Sequence, residues 1–382
     1  MWTDKEIEKV KSPNIVTPAY VYKLSFIDEQ YKKLRTCLGN DIDIVYSVKA
    51  NSNEKIIKRL NNFDVFFDCA SIAEISLVLR SGIDSKKISF VGPAKTYQDI
   101  KYAVESGVGH IICESLLQVK VLSEVLNNLK KKQKILIRIN PNLKETSGSL
   151  VMGGVPSQFG IDEDNLQEIF DFLEDSHLIE LEGFHFFLKS QVFDHKELEE
   201  KLHRAHFDSK RLAEKFGLNI KRVNLGGGFA IGYYSGQDDS KIGKIDICKP
   251  YQQKHVNTVE SGRFLVAPAG VFVTSVIDIK TSYGKQFVIV DGGLSCNAAV
   301  AGIGQIIKRN YKIKVVGKKE LEETYTVAGP SCTPIDILAV DIQLPKLEVG
   351  DKIVFLNCGA YGASYSPVNF LHLKKPSEYI ID

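Results

Sequence analysis

The sequence predicts an α/β barrel of eight parallel strands, a (β/α)8 or TIM barrel, followed by a separate antiparallel β domain. Up to about residue 265, short β-branched or aromatic runs alternate with longer segments of helical period, which is typical of repeated βα units. Eight such runs are present, the number that closes a barrel. Beyond them, apolar runs follow one another without long helical segments, which indicates an antiparallel sheet. A length of 382 residues accommodates both domains.

The predicted barrel elements follow from these runs and from helix-end signals. Ser71 and Glu74 have the spacing of a capping box and Gly82 fits a helix end, while a second helix should begin at Thr96 and end at Gly107. The eight predicted strands are IDIVYSV (42–48), DVFFDCA (64–70), KISFVG (87–92), HIICE (110–114), KILIRIN (134–140), LEGFHFFL (181–188), KRVNLG (221–226) and NTVES (257–261).

The β domain is predicted from the second half of the chain and from one early segment. TPAYVY (17–22) resembles a strand but precedes the first barrel strand, so we expect it to join this domain. The domains are therefore predicted as 25–265 for the barrel and 1–24 with 266–382 for the β domain. The later strand-like runs are VFVTSVIDIKTS (271–282), KQFVIVDGG (285–293), TYTVAGP (324–330), DIQLP (341–345) and DKIVFLN (351–357).

Composition excludes several classes of protein. No apolar run reaches the roughly 18 residues of a spanning helix, and the start MWTDKEIEKVKSP lacks the apolar stretch of a secretory signal, so we expect a cytoplasmic protein without membrane contact. A net charge of +2 implies no nucleic acid partner. Seven cysteines without a C-x-x-C pair argue against disulfides and against a zinc site, and no other metal site is expected.

In such barrels the functional side chains lie at the carboxyl ends of the strands. Lys49 closes the first strand, and an amine buried there would have a lowered pKa and act as a nucleophile toward carbonyl compounds. The alternative is an exposed lysine at a strand end. The other residues at strand ends are Asp68, His185, Gly226, Gly227, Gly228, Glu260 and Arg263, and we expect them to converge on one mouth.

Two short motifs indicate what kind of ligand this mouth binds. NLGGGF (224–229) offers three consecutive backbone amides to a phosphate, although it could also be a tight barrel turn. ESGRF (260–264) supplies an arginine for a phosphate and an acid for a protonated ring nitrogen, although it could also be a surface pair. Together with a nucleophilic lysine, these features describe a site for pyridoxal phosphate.

The ordered motifs resemble those of a known family. YSVKAN, FDCAS, GFHFFLKSQ, NLGGGF, ESGR, GPSCTPID and CGAYGASYSPVNF occur in the order found in the barrel-type pyridoxal phosphate decarboxylases, the group of diaminopimelate and eukaryotic ornithine decarboxylases. The resemblance runs from about Thr17 to beyond Phe370 and implies an alanine racemase/decarboxylase-like fold, pyridoxal 5'-phosphate as cofactor and an amino acid as substrate.

The resemblance implies a role for individual residues. Lys49 would bond covalently to the cofactor aldehyde, His185 would stack on its ring and Glu260 would face the pyridine nitrogen. Cys332 would be the acid near the substrate α-carbon, supplied by the second subunit of a homodimer; taken alone it would more readily be a buried structural thiol. Residues that would hold the phosphate or lie near the cofactor are Ser190, Gly227, Gly228, Gly262, Arg263, Tyr361, Asp68 and Arg138.

Substrate contacts are expected from Cys332, Thr333, Asp336 and Tyr361. Relatives that recognise amines have an acid directly after the cysteine, whereas this chain has Thr333, with Asp336 nearby. The stretches MGGVPSQFGID (152–162), VDGGLSCNAAVAG (290–302), AGPSCTPIDIL (328–338) and GAYGASYSPVNFL (359–371) resemble the butirosin-pathway decarboxylase, which acts on a glutamyl unit carried by an acyl carrier protein, and decarboxylases of siderophore pathways. The resemblance implies a substrate with a large or tethered tail, with a carrier protein as candidate partner.

Three features depart from the family pattern. Lys189 stands where the family has glycine before SQ, so the loop bends differently, a cation lies beside the phosphate or substrate, or the side chain faces solvent. Leu294, Ser295, Cys296 and Asn297 stand where the subgroup has histidines, and the end after HLKKPSEYIID is short for the subgroup. The alternatives to this specialised decarboxylase are a diaminopimelate-type decarboxylase, an amino acid racemase on the same fold, and a protein that only stores the cofactor.

Overall fold

A computed structural model describes residues 2–142, 154–237, 242–246, 255–305 and 307–382. Met152 and Gly153, which begin one of the predicted motifs, lie outside this part of the chain. The chain divides into two compact units. The barrel unit comprises Lys32–Ala230 and Ser240–Gly262; the sheet unit comprises Met1–Tyr31, Ile231–Asp239 and Arg263–Asp382.

The described helices are α1 (Asp4–Glu8), α2 (Leu24–Leu38), α3 (Glu54–Asn61), α4 (Ile72–Arg80), α5 (Tyr97–Ser106), α6 (Leu116–Leu129), α7 (Leu166–Glu174), α8 (His195–Lys215) and α9 (Arg263–Val266). The described strands are β1 (Ala19–Tyr22), β2 (Ile42–Ser47), β3 (Val65–Cys69), β4 (Ile88–Phe90), β5 (His110–Cys113), β6 (Gln133–Asn140), β7 (Ile161–Asp162), β8 (Ile179–His185), β9 (Arg222–Asn224), β10 (Val256–Ser261), β11 (Gly270–Ser282), β12 (Lys285–Val290), β13 (Ile313–Val315), β14 (Glu323–Ala328), β15 (Ile337–Leu344), β16 (Lys352–Phe355) and β17 (Ser377–Ile380). Within these ranges, no helix combines the length and apolar character needed to cross a membrane.

The barrel unit contains a closed ring of parallel strands. Its order is β5, β4, β3, β2, β10, β9, β8 and β6, and the pairing of β5 with β6 closes the ring. All eight predicted barrel strands are confirmed, with small shifts at their ends. Because both faces of a parallel barrel strand are covered, these strands are nearly continuous apolar runs, and in β3 all but one residue is buried. The two-residue strand β7 was not predicted and pairs with β6.

Helix ends in the barrel unit follow the expected capping chemistry. The Ser71 side chain accepts a hydrogen bond from the backbone N–H of Glu74, and α4 begins directly after it. The Glu74 carboxylate in turn accepts from the N–H of Ala70, one residue before the cap. Thr96 begins α5 with a full capping box, and Gly107 ends it in the left-handed conformation with φ of 73°. The signals of α5 are therefore confirmed, whereas in α4 only the Ser71 half of the predicted capping box is formed.

The sheet unit is mostly antiparallel. Its order is β13, β16, β11, β12, β14 and β15, and β1 lies between β11 and β17. The prediction that TPAYVY joins this unit is confirmed by the pairing of β1 with β11. The predicted antiparallel β domain is confirmed, and within it two strand pairs are parallel, β12 with β14 and β1 with β17. The sequence did not predict β13 or β17, since both are short and none of the four residues of β17 is buried.

Candidate cofactor site

The carboxyl ends of the barrel strands bring five ionisable or polar side chains into the interior of the barrel unit. They lie within the last three residues of β3, β6, β8, β9 and β10, and all are buried. His185 is paired in register with Arg138 on one side and with Asn224 on the other. The rule that functional residues lie at strand ends therefore gathers the predicted Asp68, Arg138, His185 and Glu260 within one unit, and it adds Asn224.

Glu260 is a buried anion held by two neighbours. Its Oε1 accepts hydrogen bonds from His185 Nε2 at 2.6 Å and from Asn224 Nδ2 at 3.0 Å. Burial by itself would raise the pKa of Glu260, but the charge and hydrogen bond of His185 outweigh it and lower the pKa to about 2. Lys49 and Arg138 act in the same direction. Both hydrogen bonds end on Oε1, so Oε2 has no partner among the described residues.

His185 and Asn224 arrange the surroundings of this anion. Because Glu260 is ionised, His185 Nε2 must carry the shared proton, and His185 Nδ1 is buried without a partner in the described structure. The stacking of His185 on the cofactor ring stays a prediction. Asn224 also accepts from the N–H of Gly226 at 2.9 Å, so one amide side chain connects the anion to the glycine loop. Asn224 was not among the predicted site residues, although it lies two residues before the first glycine of the loop.

Asp68 responds to the same surroundings in the opposite sense. Burial raises the pKa of Asp68 well above its usual range, and the charge of Glu260 raises it further. Lys49 and Arg138 oppose this shift without cancelling it. The barrel unit thus shifts the pKa values of two buried carboxyl groups in opposite directions, which favours the neutral form of Asp68 and the ionised form of Glu260.

Arg138 is fixed by an acid that the sequence analysis did not select. Its guanidinium donates to Glu114 Oε2 at 3.1 Å and lies 4.7 Å from the centre of the Phe159 ring. Glu114 also accepts from the backbone N–H groups of Gly92 and Gly160, so this buried ion pair is anchored to two loops. Glu114 follows β5 directly, and the strand-end rule applied to HIICE would have found it.

Lys49 lies just beyond its strand. It is the central residue of a single 3-10 turn, Val48–Ala50, that follows β2, and its Nζ is 5.8 Å from the centre of the Phe187 ring. Of the two alternatives for Lys49, buried or exposed, the structure shows the exposed one, because the chain leaves the strand at Ser47. Gly262 lets β10 end against this turn, since a Cβ there would lie 2.8 Å from the Cβ of Ala50.

The glycine loop presents two open amides instead of the expected three. The N–H of Gly226 is used by Asn224, whereas those of Gly227 and Gly228 have no partner among the described residues. No side chain fits at either position. A Cβ on Gly227 would lie 2.4 Å from the Glu260 carbonyl oxygen, and Gly228 has a φ of 120°. The loop therefore offers bare backbone donors, as a phosphate requires.

The loop containing Lys189 and Ser190 faces the same glycines. A Cβ on Gly228 would lie 2.8 Å from the carbonyl oxygen of Lys189, and Ser190 is half-buried. The Lys189 ammonium forms an ion pair with Glu197 in the first turn of α8. The Lys189 side chain is therefore half-buried and paired with an acid, which argues against the interpretation that it simply faces solvent.

In the sheet unit, Arg263 contacts two tyrosines. It donates to the Tyr233 hydroxyl at 3.1 Å, and its guanidinium lies 4.5 Å from the centre of the Tyr361 ring. Tyr361 has a φ of 52°, a backbone conformation that residues other than glycine rarely adopt. The predicted pair Arg263 and Tyr361 therefore lies together within this unit, and Tyr233 is an addition that the sequence analysis missed.

The loop that carries Cys332 also lies in the sheet unit. Cys332 is exposed, whereas the other cysteines in the described part of the chain are buried, so it does not serve as a structural core thiol. Asp336 was expected near the substrate, but its buried carboxylate accepts from the N–H groups of Leu294 at 2.5 Å and Ser331 at 2.9 Å. This carboxylate therefore joins two backbone segments, which argues against the expected contact with the substrate. Thr333 is half-buried beside Cys332.

A closed parallel barrel with an exposed strand-end lysine, bare glycine amides and a fixed buried carboxylate is typical of enzymes that bind a phosphorylated carbonyl cofactor. Residues 24–267 match the model of the pyridoxal-binding domain of pyridoxal-dependent decarboxylases. The chain belongs to this family, which makes it an enzyme with pyridoxal phosphate as its cofactor.

Full-length relatives agree with this assignment. The chain is 35% identical over 379 residues to the L-glutamyl-[BtrI acyl-carrier protein] decarboxylase of Niallia circulans, covering 95% of this chain and 88% of the relative. It is 30% identical to the 2-[(L-alanin-3-ylcarbamoyl)methyl]-2-hydroxybutanedioate decarboxylase of Staphylococcus aureus, with coverage of 97% and 95%. The structure of diaminopimelate decarboxylase from Helicobacter pylori superimposes with a TM-score of 0.84 at 27% identity, covering 96% of this chain and 92% of that one.

The residues of the barrel unit fit this cofactor. The Lys49 amine is exposed and can reach an aldehyde, and the amides of Gly227 and Gly228 are open to a phosphate. Glu260 Oε2 is an unpaired anionic oxygen that suits the N–H of a protonated pyridine ring.

We predict that Asn224→Ala lowers the free energy of unfolding by about 2 kcal/mol, because it leaves the buried N–H of Gly226 unpaired and removes a donor to Glu260. Urea denaturation followed by circular dichroism measures the change. The matched control is Asn128→Ala, an exposed asparagine on α6 that donates to the Tyr97 hydroxyl, where a change within about 0.5 kcal/mol is expected. Equal effects of the two substitutions would contradict the role given to Asn224.

Proposed function

We propose that this enzyme removes the α-carboxylate of an amino acid or amino acid derivative with a large or tethered tail, in a specialised biosynthetic pathway. The observation that carries the proposal is the state of Glu260, a buried carboxylate whose pKa is lowered by His185 and whose Oε2 has no partner in the described part of the chain. A decarboxylase needs this anion, because a cofactor ring that accepts electrons must keep its nitrogen protonated.

The barrel unit supplies the residues that would hold the cofactor. Lys49 would bond to its aldehyde carbon, and the amides of Gly227 and Gly228 would donate to its phosphate. Glu260 Oε2 would accept the ring N–H. Ser190, Gly262, Arg263, Tyr361, Asp68 and Arg138 keep the cofactor-binding roles implied by the resemblance, as predictions.

When bound, pyridoxal phosphate supplies an electron sink for the pair left on the α-carbon. The protein must then keep the proton at the ring nitrogen, and Glu260, whose pKa is lowered to about 2, would do so as a carboxylate. A neutral or cationic residue in that place, as in racemases that use an arginine, would weaken the sink. The identity of Glu260 therefore favours decarboxylation over racemisation.

Loss of carbon dioxide must be followed by addition of one proton to the α-carbon. Cys332 is the donor that we propose, since its thiol is exposed and free of disulfide bonding. The overall change is balanced, because the bond from the α-carbon to the carboxylate breaks, the thiol proton forms the new C–H bond, and solvent restores the thiol. We further propose that the protein is a homodimer and that Cys332 acts on the site of the partner subunit.

The loop around Cys332 carries the substrate proposal. Thr333 is neutral, and the carboxylate of Asp336 is taken up by the backbone N–H groups of Leu294 and Ser331. Neither residue supplies the counter-ion that a distal ammonium needs. The relative from Niallia circulans acts on a glutamyl unit attached to a carrier protein, which has no such ammonium. A carrier-bound or otherwise bulky α-amino acid is therefore favoured over diaminopimelate, and a carrier protein is the partner that we propose.

We predict that the purified enzyme releases carbon dioxide from an α-glutamyl carrier-protein thioester or a similarly tailed amino acid faster than from diaminopimelate, lysine or ornithine. Lys49→Ala should reduce the rate by about 10³-fold or more. Carbon dioxide release and change of chirality are measured in the same samples. The control Lys55→Ala, an exposed lysine on α3, should keep wild-type activity. Chirality change without carbon dioxide would favour the racemase, and neither product from any substrate would favour a cofactor-storage protein.

Subunit sharing is tested by mixing two inactive variants. Chains carrying Lys49→Ala and chains carrying Cys332→Ala are combined in equal amounts after dissociation. Each heterodimer should then contain one site with both residues, which restores about a quarter of the wild-type sites in the mixture. Carbon dioxide release by the mixture, compared with each variant alone, gives the answer. If mixing restores no activity, Lys49 and Cys332 of the same chain serve the same site.

A further inference from the structure

Lys201 is a buried lysine in the middle of α8. Its side chain lies on the covered face of the helix with Leu198 and Leu202, and only 9% of the residue is exposed. A buried ammonium is unfavourable unless charged or polar groups surround it. The exposed lysines of the same helix are explained by their contact with solvent. Lys201 has little contact with solvent, so its charge must serve another purpose.

The hydrogen bonding of Lys201 is incomplete. An ammonium group has three donors, yet the bond that the described structure gives it is a long one of 3.4 Å to the carbonyl oxygen of Lys189. Burial lowers the pKa of Lys201 to about 7, while the charges of Glu260 and Glu197 partly oppose that shift. The amine is thus held in the interior with donor capacity left over, and a nearby anion would strengthen its charged form.

The position of the amine indicates which anion it serves. A Cβ built on Gly228 would lie 2.7 Å from Lys201 Nζ, so the amine rests directly against the glycine whose N–H is open. The adjacent amide of Gly227 is open as well. A buried cation beside two bare backbone donors has the chemistry of a phosphate site.

We propose that Lys201 is a cofactor-binding residue that pairs with the phosphate of pyridoxal phosphate at the amides of Gly227 and Gly228. This inference rests on the proposed function and adds a cation from α8 to the glycine loop. The competing role is purely structural, in which Lys201 only supports the loop of Lys189 through its carbonyl oxygen. The two roles differ in one respect, because a structural lysine does not distinguish a phosphorylated ligand from an unphosphorylated one.

The test compares the affinities of the apoprotein for pyridoxal phosphate and for pyridoxal, which lacks the phosphate. In Lys201→Met we expect the dissociation constant for pyridoxal phosphate to rise about 10- to 100-fold, the range of a charge-assisted hydrogen bond, while that for pyridoxal changes less than about 3-fold. Inorganic phosphate should compete with pyridoxal phosphate in the wild type and more weakly in the variant. The control is Lys210→Met on the same helix, an exposed lysine 3.8 Å from Glu214, which should leave both affinities unchanged.

Equal weakening of both ligands, or no weakening of either, would overturn the inference. Lys201→Gln is the second variant if Lys201→Met does not fold, because the amide can still donate to the Lys189 carbonyl oxygen but carries no charge. One outcome would overturn the role of Lys201 and leave the proposed function intact. In that outcome the wild-type protein binds the cofactor and releases carbon dioxide, and the Lys201 variant binds pyridoxal phosphate with unchanged affinity. A wild-type apoprotein without affinity for pyridoxal phosphate would overturn the proposed function and this inference together.

Discussion

A carboxylate buried in a barrel without partners is strongly unfavourable, and Glu260 is such a carboxylate unless its neighbours are placed correctly. His185 and Asn224 remove this penalty with two hydrogen bonds to one oxygen. The same Asn224 binds the N–H of Gly226, so the support of the anion also shapes the glycine loop. Much of the cofactor chemistry of the barrel unit therefore depends on one pair, His185 and Glu260, and on the strand order that makes them neighbours.

Strand order explains how so much of the barrel could be predicted from sequence. Parallel strands covered on both faces must be apolar along their length, so the eight runs are visible without structural information. Because such strands all end at one rim, Asp68, His185 and Glu260 could be selected by position alone. The short strands β13 and β17 could not be predicted, since they rely on neighbouring strands for their stability.

Other features depend on contacts that no local pattern encodes. The strand pattern left open whether Lys49 is buried or exposed, and the single turn after Ser47 leaves its side chain exposed. Asp336 could be read as a substrate contact from its motif, and only its bonds to backbone amides show that its carboxylate is already used. Lys201 lies among many charged residues of α8, and nothing in the sequence separates it from the exposed lysines of that helix.

The residues assigned to the cofactor come from both units. Lys49, Glu260 and the glycine loop belong to the barrel unit, and Arg263 and Tyr361 belong to the sheet unit. Cys332 and Thr333, which we assign to the substrate, also belong to the sheet unit. The residues assigned to the cofactor are constrained tightly, because each donor must match a fixed group of the cofactor, whereas those assigned to the substrate need to suit the tail of one substrate.

The central claim is that Lys49 is the residue that carries the cofactor. Its most direct test is borohydride reduction of the holoenzyme followed by proteolysis and mass spectrometry of the labelled peptides. We expect a phosphopyridoxyl group on the peptide containing Lys49 and none on those containing Lys189 or Lys201. A label on Lys201, whose lowered pKa also makes it a competent nucleophile, or on any other lysine in place of Lys49, would contradict the account.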